Sequence, residues 1–228
     1  MRLPLIPRLA VLSLLVLGSS TLTAFAQTTT LEAPWERTLP AAGLAVLNLN
    51  TPNGTIAVEG WDRPEIAVRA TRRASGASPA DAQRLLDSIR IEFAQEGTTL
   101  RGDVPEPRRV ESVGVDFVVR VPRDLAVDAR TAHGTIAATG VAGPLSITSG
   151  DGSLSVANAP GPMTLETSNG SVAVALAPGA GAQLDLTTAS GQISVQGTAA
   201  PANQVRALIG GGGPPITVRT SSGSIAVN

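Results

Sequence analysis

Cysteine and tyrosine are absent from the 228 residues, histidine occurs once, tryptophan twice and phenylalanine three times. Without cysteine there is no disulfide framework and no thiolate for a metal, and lipid attachment through a processed cysteine is excluded. An exported chain of this kind holds together by packing and backbone hydrogen bonds alone. The single histidine, His133, leaves no basis for a Ser-His-Asp arrangement or a histidine-rich metal site. Only Trp35, Trp61, Phe93 and Phe117 follow the amino-terminal stretch, so the half from residue 131 has no aromatic platform for a sugar. Beyond residue 26 there is no apolar run near the ~20 residues of a membrane-spanning helix. From residue 27 onward 15 Arg face 18 Asp and Glu, a formal charge of −3, which excludes a nucleic-acid binder of the basic-patch kind.

The amino terminus, MRLPLIPRLAVLSLLVLGSSTLTAFAQ, places Arg2 and Arg8 ahead of the apolar run Leu9–Leu17 and ends in Ala24-Phe25-Ala26. That is the pattern of a secretory signal peptide over 1–26, cleaved before Gln27. The expected location is the periplasm or the cell surface, without lipid attachment. The 202 residues from Gln27 suit one domain with a substantial core. Their charge is uneven: 27–130 holds 13 Arg and 15 Asp or Glu, whereas 131–228 holds only Arg206, Arg219, Asp151, Glu166 and Asp185.

Six segments repeat one pattern when aligned on glycine: LNLNTPNGTIAV (47–58), VDARTAHGTIAA (127–138), LSITSGDGSLSV (145–156), MTLETSNGSVAV (163–174), LDLTTASGQISV (184–195) and ITVRTSSGSIAV (216–227). Period-two alternation puts one face of each arm in a core and the other toward solvent. Gly54, Gly134, Gly152, Gly170, Gly191 and Gly223 follow Asn, His, Asp or Ser and read as structural repeat turns, where glycine tolerates positive φ. The hydroxyl residue three positions earlier (51, 131, 149, 167, 188, 220) falls on the inward parity, its hydroxyl in reach of a turn amide.

Such units can form separate hairpins or stacked rungs. Glycines 134, 152 and 170 recur every 18 residues and Gly191 follows after 21, a short period that favours rungs. The inward Leu145, Ile147, Leu154, Val156, Met163, Leu165, Val172 and Val174 then stack as aliphatic ladders, with corners at 159–162 and 177–180. The expected fold is all-β: a single-domain parallel β-solenoid over 47–228, preceded by a lead-in over 27–46. It carries a small α+β cap inserted at about 61–123. Within the cap, 65–73 reads as a strand and 78–89 as a helix with Ser78 as its cap, Pro79 in the first turn and Asp81 in the capping-box position. The segments RIEFAQEGTTLRGDV and VDFVVRVP read as further strands.

GTIAVEGWDRPEIAVRA, the short helix, VDFVVRVPRDLAV, the serial T-x-x-G strands and the closing GGGGPPITVRTSSGSIAV together resemble the bacterial putative-adhesin family of β-strand-repeat proteins, a domain of unknown function. The resemblance covers roughly 40–228. It implies an exported, right-handed β-solenoid of the cell envelope, and it supplies no catalytic residues.

No cofactor or metal is expected. His133 fills a turn slot, with no acidic companions nearby in sequence. Asp151-Gly152 has too few carboxylates in neighbouring turns for calcium. The stretch IGGGGPP (209–215) lacks the lysine and following helix of a phosphate loop and reads as a flexible excursion. The strongest enzyme candidate is the pair Glu166 and Asp185, which stacking of successive copies would bring to a Cα separation of about 8 Å, near the spacing of inverting glycosidases. No sugar platform or close basic group accompanies them, so the expected function is non-enzymatic: adhesin-like contact with an unknown envelope protein or glycan over outer faces rich in Ser146, Thr148, Thr164 and Thr187. An envelope-stress accessory that signals through a protein partner is the alternative, with a polysaccharide-active enzyme behind it. The last copy is expected as the terminal rung, its edge Ser224–Val227 either paired with a second molecule or shielded by 198–215; a shielded monomer is favoured.

Overall fold

Apolar residues at every second position make strands, and the observed burial follows that alternation almost residue by residue. The computed structural model describes residues 28–105 and 112–228; the segment read as a signal peptide lies outside them. In chain order the elements are β1 (Thr29–Pro40), β2 (Val46–Asn53), β3 (Ile56–Trp61), β4 (Glu65–Gly76), α1 (Pro79–Ser88), β5 (Glu92–Glu96), β6 (Thr99–Asp103), β7 (Val113–Pro122), β8 (Ala126–His133), β9 (Ile136–Thr139) and β10 (Leu145–Asp151). There follow β11 (Leu154–Ala157), β12 (Met163–Asn169), β13 (Val172–Ala175), β14 (Ala182–Ser190), β15 (Ile193–Val195), β16 (Thr198–Ala200), β17 (Gln204–Ile209), β18 (Pro215–Ser222) and β19 (Ile225–Val227).

The two arms of a repeat do not pair with each other. The arm before the glycine joins one sheet and the arm after it joins the other, and each pairs with its counterpart in a neighbouring copy. The first sheet runs β1-β4-β7-β3-β9-β11-β13-β19-β15-β16, the second β17-β14-β18-β12-β10-β8-β2-β6-β5. Pairing among the copies is parallel and in the register of the glycine alignment: Leu145 lies opposite Met163, and Leu154 opposite Val172. The eight inward aliphatic residues from Leu145 to Val174 are all buried in one hydrophobic core shared by both sheets. The fold is thus all-β, with one core.

Two corrections follow. First, the sheets are mixed. Pairing turns antiparallel at both ends, in β1/β4, β4/β7 and β5/β6 at one and in β14/β17 and β15/β16 at the other. In β5/β6 and β15/β16 a tight turn delivers the antiparallel partner, whereas a parallel one needs a crossover. Between Val195 and Thr198 the turn residues Gln196 (φ 48°) and Gly197 (φ 74°) have the left-handed conformation of a two-residue hairpin.

Second, the last copy is not the terminal rung. β18 lies between β12 and β14, and β19 between β13 and β15, so copy six is inserted between copies four and five. The 198–215 excursion does not shield Ser224–Val227. Its strands β17 and β16 fold back on β14 and β15, closing the outer side of copy five. Only the inner side of that copy is left for the chain's end, and the strand expected at the edge is paired on both sides within the chain.

The segment 61–123, expected as an α+β cap, builds one end of both sheets. β4 and β7 extend the first sheet, β6 and β5 the second, and only α1 is added, packed on β4 and β1. Ser78 caps α1, accepting a hydrogen bond from the Asp81 amide at 3.2 Å. The lead-in contains the twelve-residue strand β1, paired along its length with β4. Pro34 and Pro40 argue against an interior strand, and β1 is accordingly at the sheet edge. Trp35 of β1 stacks on Phe93 of β5, ring centroids 5.8 Å apart, and closes this end of the core.

Candidate functional site

Stacking turns the repeat's glycine and hydroxyl positions into two interlocked rows. Thr51, Thr131, Ser149, Thr167, Thr188 and Thr220 are all buried. Five of them donate across to the glycine carbonyl of the adjacent rung: Thr131 to Gly54 (3.4 Å), Ser149 to Gly134 (2.9 Å), Thr167 to Gly152 (2.9 Å), Thr220 to Gly170 (3.2 Å) and Thr188 to Gly223 (2.9 Å). Thr51, which has no such rung beneath it, donates to Asn53 O at 3.0 Å. The hydroxyls therefore satisfy inward carbonyls, not the turn amides expected. Those amides go to the next rung instead, as Gly134 N to Asp151 O at 2.9 Å.

The same carbonyls explain why glycine stands at each corner. A Cβ built on Gly134, Gly152, Gly170, Gly223 or Gly191 would lie only 1.9–2.2 Å from the carbonyl oxygen of the neighbouring glycine, and one on Gly54 2.1 Å from that of Val115. Positive φ is the lesser reason, since Gly152 is not in the left-handed region while the other five are.

Outside the corners runs a row formed by half-buried Asn53 and exposed His133, Asp151, Asn169, Ser222 and Ser190 in register. His133 Nδ1 lies 3.0 Å from Asp151 Oδ2, and Asn169 Nδ2 donates to Asp151 Oδ1 at 2.7 Å. His133 thus has an acidic companion after all, one coil of 18 residues further along the chain. Beside the row opens a cleft of about 530 Å³ lined by Asn53, Thr55, Arg73, Ser75 and His133 among others. Asp116 holds its wall, accepting from Thr55 N and Oγ1 and pairing with Arg73 at 3.0 Å. Among the described residues no group of three His, Cys, Asp or Glu side chains is set to hold a metal ion.

The outward face of the second sheet carries the remaining candidates. Copy six separates Glu166 from Asp185: Glu166 is opposite Arg219 and bonded to it at 3.3 Å, while Asp185 is opposite Thr217 on one side and Arg206, 3.6 Å away, on the other. Two strand spacings and a two-residue offset put their α-carbons about 12 Å apart. The carboxylate pair expected from successive stacking is not brought together, and each member has its own arginine. Further along the face Asp128 pairs with Arg130 at 2.9 Å, and the hydrogen bond from Arg101 to Asp103 raises the arginine above its already high range.

Residues 123–228 match the Toastrack DUF4097 family. The match covers the carboxy-terminal part of the chain. The matched part holds copies two to six; the first copy and α1 precede it. Among solved structures, a putative cell adhesion protein from Clostridium sporogenes ATCC 15579 is similar over 86% of this chain and 98% of its own, with 11% identity and a TM-score of 0.61. That likeness shows a shared fold. A putative adhesin from Bacteroides fragilis NCTC 9343 (10% identity, 86% and 97% covered, TM-score 0.27) and a putative lipid binding protein from Parabacteroides distasonis ATCC 8503 (12%, 86% and 96%, TM-score 0.26) are also similar. No curated protein matches the chain.

In the matched part the glycine-rich stretch 209–215 packs on Gly181 through Gly210 and Gly213. Gly210, Gly211 and Gly212 have φ of 59°, 83° and 101°, and Gly213 abuts Gly181 so closely that a Cβ there would strike its carbonyl. The arginine partners of Glu166 and Asp185 escaped the sequence because Arg219 is 53 residues from Glu166 and repeat order does not reveal which copies touch. The Asp151–His133 contact could have been found, since the two residues are one 18-residue period apart.

Proposed function

We propose that this chain is a Toastrack-type protein: an exported, non-enzymatic module of the cell envelope, a parallel β-solenoid in its repeat section, which works by surface contact with an envelope protein or glycan. The observation that carries the reading is the outward face of the second sheet. There Glu166, Asp185 and Asp128 are each matched by an arginine on the same face, and Ser146, Thr148, Thr164 and Thr187 stand between them. A regular, internally neutralised surface spanning many strands suits extended contact better than chemistry at a point. The fold shared with a protein named for cell adhesion agrees with this.

The mature chain used as bait against envelope fractions is expected to retain a partner that the outward substitution Thr148→Arg releases. Intact mass of the exported protein is expected to begin at Gln27. A bait that captures nothing, or a partner held equally by variants across this face, contradicts the reading. So does polysaccharide cleavage by the wild type that is lost in Glu166→Gln and Asp185→Asn.

A further inference from the structure

Five neighbouring strands of the second sheet, β2, β8, β10, β12 and β18, carry an open trough of about 330 Å³ across their outward face. Register builds its two walls. Pro144, Pro162 and Pro215 each precede one of the inward residues Leu145, Met163 and Ile216, which lie opposite one another, so the three prolines form a column. Two positions further along each strand, Asp128, Ser146, Thr164 and Thr217 form the facing column. One wall therefore presents ring methylenes and the other presents hydroxyls and one carboxylate. That carboxylate is balanced: Asp128 Oδ2 accepts from Asn48 at 3.2 Å and Arg130 at 2.9 Å, while its Oδ1 has no partner among the described residues. The trough is apolar on one side, polar on the other, without net charge, and repeats at the strand spacing of ~4.8 Å.

We propose that this trough binds a linear neutral glycan laid across the strands, about four sugar units long. The inference rests on the surface-contact reading above and names its ligand class. A pyranose ring has an apolar C–H face and a hydroxyl-bearing edge, which is the division between the two walls. Each ring of an extended chain advances by about one strand spacing, so successive units meet equivalent side chains. A peptide strand advances ~3.3 Å per residue and runs out of step. It also finds no free sheet edge here, because all five strands are paired on both sides. An acidic polymer would bring its carboxylates beside Asp128, against the charge balance of the trough.

The test is calorimetric titration of the mature chain with cellotetraose and chitotetraose, alongside cellobiose, tetragalacturonate and phosphatidylglycerol vesicles. At least one neutral tetramer is expected to bind, cellobiose at least about tenfold more weakly. Thr164→Arg, an exposed outward change that fills the trough, is expected to weaken the tetramer at least about tenfold, and Pro162→Ala to weaken it measurably should the arginine variant fail to fold. Binding of tetragalacturonate or vesicles in place of the neutral tetramers overturns the proposal, as does tetramer binding that neither substitution alters. If no tetramer binds while an envelope protein is still captured and Thr148→Arg releases it, the glycan is wrong and surface contact stands; capture of nothing removes both.

Discussion

Replacing Gly152 with alanine is expected to destabilise the protein by about 3–5 kcal/mol, at the upper end of single substitutions. The added methyl would lie 1.9 Å from the Gly134 carbonyl oxygen, and that oxygen is fixed by the Ser149 hydroxyl. No flexible side chain can yield, because the obstacle is the backbone of the neighbouring rung. Displacing it also loosens the Ser149 bond and leaves a buried carbonyl short of a partner, a further cost of about 1–3 kcal/mol where relaxation is incomplete. Gly152 separates close approach from backbone conformation, since its φ lies outside the left-handed region. Gly179 supplies the converse case: φ is 78° and nothing lies within 4 Å of a built Cβ, so Gly179→Ala should cost only about 1–2 kcal/mol. Urea unfolding of both variants checks this, and equal costs would remove the stacked-glycine account.

Ala226→Pro is expected to cost at least about 1–3 kcal/mol, because it removes a ladder donor and leaves a buried acceptor unpaired, and to lower the thermal midpoint accordingly, at about 2–4 °C per kcal/mol for a domain of this size. Ala226 lies opposite Ala173 on one side and Ser194 on the other, so proline there removes a donor and inserts a ring inside the first sheet. At a true edge the sheet tolerates proline, as Pro34 on β1 demonstrates. A folded Ala226→Pro variant with an unchanged melting midpoint would mean that the last copy is an outer rung.

Much of this architecture is local enough to be legible in the sequence. Alternation about each glycine identifies both arms and their buried faces, the hydroxyl at the inward parity marks a satisfied polar row, and Ser78-Pro79 with Asp81 starts α1. The order of the rungs is different in kind. Six copies with the same alternation are interchangeable partners, so their sequence cannot state which one sits beside which. Connections decide it, and the decisive one is the 198–215 excursion, whose strands take the outer edges of copy five. From that single event follow the separation of Glu166 and Asp185, the Glu166–Arg219 pair and the inclusion of Pro215 and Thr217 in the trough. β1 was obscured for another reason: two prolines and a charged outer side are the marks of an edge strand and give little sign of pairing.

Because the chain has no cysteine, paired cysteines report strand neighbours without background, and this is the most direct test of the rung order on which the contact face depends. Glu166 and Arg219 are directly opposite on adjacent strands, whereas Glu166 and Thr187 flank Arg219 from its two sides, at two strand spacings or about 9.6 Å. A disulfide requires α-carbons within about 7 Å. Under mild oxidation Glu166→Cys with Arg219→Cys should cross-link and Glu166→Cys with Thr187→Cys should not; cross-linking of the second pair in place of the first would show the copies stacked in chain order and contradict the account.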